Sequence, residues 1–136
     1  AFLKQLCQAR HGARDALQFG ELLPPVDVKC DSTVSWTEEE KGTPQTRTAK
    51  AVLASAWLTP EGKRKLAVVN VSDENQAVTL TLDARHTGDV KPGDLGLKTN
   101  TGETGGVLRL ERNGRCSGPL TLSQRSALVL ELVPIR

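Results

Sequence analysis

The sequence predicts a mostly β protein, an antiparallel β-sandwich preceded by one N-terminal amphipathic α-helix. Three observations predict it. From Phe2 to Phe19 the apolar residues recur at spacings of three and four, and after Pro25 they change to a spacing of two. Turn-forming residues then punctuate the chain at short intervals. No helical pattern returns between the strand patterns, which disfavours parallel strands joined by crossover helices and favours a sandwich.

The helix comes first. Phe2, Leu3, Leu6, Ala9, Ala13, Ala16 and Leu17 share a face, with Lys4, Gln5, Gln8, Arg10 and Arg14 between them. Gly20 is a natural C-terminal stop and Pro24-Pro25 excludes continuation, so one helix is expected to end near residue 19. Gly12 in its middle costs about 1 kcal/mol relative to alanine, or serves close packing on a neighbour. Such a helix does not fit inside a sandwich. It is expected to pack on an edge or to cover the apolar surface of a neighbouring domain.

The strands follow in order. Val26, Val28 and Cys30 alternate with polar residues, as do Val34 and Trp36, before a charged stretch from Thr37 to Gln45 read as a solvated loop. Ala51 to Thr59 is a strand that turns at Pro60-Glu61-Gly62-Lys63 and returns as Lys65 to Val71. Asp73-Glu74-Asn75 is an ordinary turn into Ala77 to Asp83, the cleanest alternation in the chain. From Ala84 to Gly106 the periodicity is weak and glycines are frequent, which reads as a long excursion with a short strand at Leu95 to Leu97. Val107 to Glu111 and Ala127 to Val133 complete the set, six to eight strands in all. The segment Thr101-Gly102-Glu103-Thr104-Gly105-Gly106 reads as a turn. It precedes no helix and lacks the Gly-Lys-Ser/Thr ending of a phosphate-binding loop.

Composition narrows the function. A chain of 136 residues suits one domain with its own core. Its 18 basic and 16 acidic residues are interspersed, leaving a net charge of +2 and no electrostatic footprint for nucleic acid. No apolar run approaches the length needed to span a bilayer. The start at Ala1 shows neither an initiator Met nor a signal-peptide pattern, so the expectation is a processed product or a segment of something longer. Cys7, Cys30 and Cys116 form no C-x-x-C pair and predict neither a metal site nor a redox motif. A Cys30–Cys116 disulfide is the minor alternative to three free thiols.

No residue set fits a catalytic cycle, a cofactor or a metal. Glu38 to Glu40 and Asp73-Glu74 read as loop and turn residues rather than paired acids. His11 and His86 have no partner at metal spacing and read as surface or capping residues. No G-x-S-x-G frames any serine. With no Tyr and two Trp, a sugar platform is thin. Trp57 lies in an apolar strand and reads as core, whereas Trp36 borders charged residues and is the one candidate ligand contact.

The segment Ala54-Ser55-Ala56-Trp57-Leu58-Thr59-Pro60-Glu61-Gly62-Lys63, followed by Leu66-Ala67-Val68-Val69-Asn70-Val71-Ser72-Asp73-Glu74, resembles the C-terminal β-sandwich domains of bacterial glycoside hydrolases with a (β/α)8 catalytic barrel. Phe2 to Arg10 with Leu17 to Pro25 looks like the last barrel helix and the exit into such a domain. Ser126 to Leu132 is similar to the closing strand. The resemblance implies a non-catalytic accessory domain whose partner is the catalytic barrel of the same protein, with the catalytic acids upstream and none to carry onto this chain. It divides the chain into 1–23 (helix, the barrel remnant), 24–42 (linker and first strands) and 43–136 (sandwich). Two alternatives remain: an independent carbohydrate- or protein-binding module, and a structural or adhesion domain.

Overall fold

The computed structural model describes residues 2–99 and 104–135. It is mostly β with every strand pairing antiparallel, and its helices lie at the N-terminus apart from one short turn of helix. The N-terminal helix is two pieces, α1 (Phe2–Gly12) and α2 (Arg14–Leu17), rather than one. The break falls at buried Ala13, whose φ of −104° and ψ of 19° lie outside helical geometry, directly after the poor helix former Gly12. Gly20 does follow the helix, but without a left-handed backbone. A Cβ there would lie 2.8 Å from the Leu58 carbonyl oxygen and 2.9 Å from Ala16 Cα, so lack of space selects glycine where the chain leaves α2.

The strands are β1 (Glu21–Leu22), β2 (Asp27–Lys29), β3 (Thr33–Glu40), β4 (Thr43–Lys50), β5 (Val52–Leu58), β6 (Arg64–Asn70) and β7 (Gln76–Leu82), then β8 (Gly93–Lys98), β9 (Thr104–Leu110), β10 (Cys116–Leu122) and β11 (Ser126–Pro134). The one-turn helix α3 (Ala84–Thr87) follows β7. Nine strands make one sheet in the order β1-β5-β6-β11-β8-β9-β10-β7-β2, while β3 and β4 pair only with each other. The sheet curls until β2 lies beside β5, giving a sandwich-like half-barrel. Its concave side holds a single core built from alternate residues, including Leu66, Val68, Leu80, Leu82, Leu108 and Leu130. The two edge strands, β1 and β2, are very short, which limits the unpaired backbone they offer to other chains.

Three stretches differ from expectation. Thr37 to Gln45 is no loop: β3 runs through Glu40 and turns on Lys41 and Gly42, whose φ values of 52° and 79° suit a two-residue hairpin turn. Position 42, the expected end of the linker segment, is thus the second residue of that turn. The stretch from Ala84 to Gly106 holds α3, all of β8 and the start of β9; of the turn expected at 101–106, residues 104–106 are strand instead and 101–103 lie outside the described residues. β10 has no counterpart in the sequence pattern, because Gly118-Pro119 interrupts its alternation. Gly118 is there for space, since a Cβ would stand 2.5 Å from the Val107 oxygen and 2.8 Å from Leu108 Cδ2. Pro119 lies beyond Ser117, where the β9–β10 pairing ends.

Candidate functional site

Two surfaces stand out, one on the helix side and one on the β3–β4 hairpin. The helix side follows from the sequences of β5, β6 and β11, which are apolar on both faces. Their inward residues fill the core, and their outward residues include Leu53, Ala67, Val69, Ala127 and Val129. A sheet that faced water would alternate with polar residues there, so this pattern requires a cover. The cover is α1 and α2: α1 packs on β11 and α2 on β5.

That cover is incomplete. An open apolar groove of about 370 Å³ lies between Leu6, Ala9 and Leu17 of the helices and the outer face of β5, β6 and β11. At its margin Leu53 is 47% exposed, and Leu3, Phe19 and Leu22 are also exposed. Leu22 stands directly opposite Trp57 in the β1–β5 register, on the same outer face. Trp57 is accordingly half-buried on the outside of β5 rather than in the core, with its Nε1 donating to Ser55 Oγ at 2.8 Å. Trp57, expected in the core, thus lies one residue past Ala56 and on the face opposite Val52 and Ala56. Arg10 lies at the groove lip, and the flank behind it carries His11 and Arg14 beside exposed Cys7. Arg14 also sits over the Phe19 ring, 5.7 Å from its centroid.

One polar tie fixes the helices on this face. Lys65 Nζ of β6 donates to both oxygens of Asp15 on α2, at 2.9 and 2.7 Å. Burial alone would raise the Asp15 pKa, but Lys65 and the backbone N–H of Ala16 outweigh it and hold the carboxyl below its ordinary value.

The hairpin surface is different. Trp36 is 44% exposed on β3, and its Nε1 donates to Glu38 Oε1 at 2.7 Å. Arg47, opposite Trp36 on β4, reaches Glu40 at 2.9 Å and Glu38 at 3.4 Å. The acids of residues 38–40 are thus strand residues, two of them, Glu38 and Glu40, paired with Arg47, not a loop cluster.

The remaining sequence candidates are structural. His86 is buried, not on the surface, and completes the N-terminal cap of α3: its Nδ1 accepts from the Asp83 N–H at 3.0 Å, so Nε2 carries the proton given to the Pro24 oxygen at 2.9 Å. His11 is exposed on α1. All three cysteines are free; Cys116 is buried in the core, where burial pushes its thiol up to about 11. The Asp73–Asn75 stretch is the turn expected. It is pinned by fully buried Asn70, whose Nδ2 donates to the carbonyls of Glu74 and Ser123 at 2.8 and 3.0 Å. Among the described residues no group of three or more His, Cys, Asp or Glu side chains could hold a metal ion, and no helix is long and apolar enough to cross a membrane.

No protein-family model matches the chain, and no curated protein matches it. Two solved structures are similar to it: a GH27 β-L-arabinopyranosidase from Geobacillus stearothermophilus in its wild-type form, and a variant of that enzyme in complex with arabinose. Each is 12% identical over 76% of this chain, with TM-scores of 0.42 and 0.43. The chain spans about a fifth of the length of those enzymes, 19% and 20%. At that distance the likeness carries no residue correspondence.

Proposed function

We propose that this chain is the non-catalytic accessory β-domain of a glycoside hydrolase, and that its helix side packs against the catalytic barrel of the same protein. The observation that carries the reading is the open apolar groove between α1–α2 and the outer face of β5, β6 and β11, lined in part by exposed Leu53. A contiguous apolar surface of this kind marks an interaction site, and burying it against a partner is worth roughly 25 cal/mol per Å². The sequence resemblance in α1, in the Trp57–Lys63 hairpin and in the Asn70–Glu74 turn names the partner as a (β/α)8 barrel. Arg10 at the groove lip and Arg14 nearby offer positive charge to carboxylates of a partner seated there.

In this reading the chain contributes no acid, base or nucleophile and acts by holding the end of the helix ring in place. The test is an assay of the purified chain on a panel of aryl glycosides, with a hydrophobic dye as a second readout. No turnover, with dye bound to wild type and released by Leu53→Glu, is the expected result. Turnover by the purified chain overturns the proposal.

A further inference from the structure

The β3–β4 hairpin stands apart from the main sheet. Of its strand residues only Val34 and Ala49 are half-buried, and all others are exposed. An isolated two-stranded ribbon is marginal in water, so the arm depends on ties of its own. It has them on both faces. Ser35 and Thr48 hydrogen-bond across one face at 3.1 Å. On the other, Trp36, Glu38, Arg47 and Glu40 form one connected chain, from the indole N–H through Glu38 and the guanidinium to Glu40.

That chain has two consequences. It fixes the indole ring before any ligand arrives, which removes part of the ordering cost of binding. It also surrounds the ring with charged and polar groups, because Glu38 faces Gln45 and Glu40 faces Thr43 in the register. The buried centre of a protein–protein interface is depleted of charge, so this face does not suit a protein partner. A pyranose or furanose ring matches it: its C–H face packs on an exposed indole and its hydroxyls meet the carboxylates, amide and guanidinium around it.

We propose that the Trp36 face of the β3–β4 hairpin binds a neutral saccharide chain. Neutrality follows from the local charge of this face: Glu38 and Glu40 oppose the single Arg47, so a carboxylate group seated beside the ring is disfavoured there. A chain rather than a monosaccharide follows from length, because Val34 to Glu40 extends the face over roughly 20 Å at about 3.3 Å per residue. The site is independent of the helix side and does not rest on barrel packing.

The test is affinity electrophoresis of the purified chain through gels containing a β-glucan, a galactomannan or an arabinoxylan, with polygalacturonate as the anionic control. At least one neutral polymer is expected to retard the wild type. Trp36→Ala should lose at least tenfold in affinity, while Trp57→Phe and Leu53→Glu should migrate as wild type does. The indole N–H resonance of Trp36 should shift with the matching oligosaccharide while that of Trp57 stays in place, and unchanged core methyl resonances verify that Trp36→Ala is folded. No retardation by any of the three neutral polymers, equal retardation of Trp36→Ala, or preferential retention by polygalacturonate overturns the proposal.

Discussion

Asp15 on α2 and Lys65 on β6 form a two-contact ion pair, 2.7 and 2.9 Å from Nζ to the carboxylate oxygens, that anchors the helical segment to the outer face of the sheet. It is a polar tie within a mostly apolar contact, and it holds α2 against β6. Lys65→Met is expected to cost about 1 kcal/mol at neutral pH, read as a lower urea midpoint with an unchanged slope. Asp15→Asn should cost about the same, and the double variant little more than either one.

The pH dependence follows from the carboxylates. Asp83, held mainly by its hydrogen bonds to Arg85, has a pKa lowered to about 2; Asp73 is lowered by Arg125, and Asp15 is lowered because Lys65 outweighs burial. A carboxyl whose folded pKa is depressed takes up its proton more readily when unfolded. Its contribution is complete above about pH 4 and is lost as the pH falls through the folded value. Urea midpoints of the wild type should hold steady from neutral pH down to about pH 4 and decline towards pH 2. The gap between wild type and Asp15→Asn should close over the same range.

Asn70 is the most demanding polar residue in the core. Its Oδ1 accepts from the Ser72 N–H and hydroxyl at 3.0 and 2.8 Å, and its Nδ2 satisfies two carbonyls from separate turns. Asn70→Ala leaves these groups unpaired and is expected to cost about 3 kcal/mol in chemical denaturation. Asn70→Asp keeps the acceptor but loses both donated bonds, so it should rescue only part of the loss.

The cysteines should separate by burial. Cys7 is exposed, Cys30 is half-buried with its Sγ 3.4 Å from the Ser32 oxygen, and Cys116 is inside the core. A thiol reagent at pH 8 should modify Cys7 within the mixing time and Cys116 only after denaturant is added. Fewer than three titratable thiols in the denatured, unreduced chain would contradict free cysteines.

Much of the fold is legible in the sequence. Ala77 to Asp83 announces its strand by alternation, and the strands from Ala51 to Val71, apolar on both faces, are marked out by the Pro60-Glu61-Gly62 turn between them. β10 is hidden because Gly118 answers to a close approach of β9, a relation between segments distant in sequence. Beyond the Val34–Trp36 alternation the β3–β4 hairpin is hidden for the opposite reason: from Thr37 onward its residues carry no apolar alternation, and only the Lys41-Gly42 turn and the threonines at 37, 43, 46 and 48 speak for it. Trp36 is legible as an exposed residue, but its bond to Glu38 is not, because that depends on a strand where a loop is expected. The helix-side groove has a signal that composition alone obscures. Leu66 to Val69 and Ala127 to Val133 are apolar on both strand faces, and a sheet apolar on both faces is a covered sheet.

The central claim, that the helix side is a docking face for a catalytic barrel, is tested most directly by amide hydrogen exchange on this chain alone and on the same chain joined at its N-terminus to a glycoside hydrolase (β/α)8 barrel. Slower exchange in the joined protein over α1, α2, β1 and the outer side of β5, with the β3–β4 hairpin unchanged, is the result expected. Unchanged exchange on the helix side contradicts the claim.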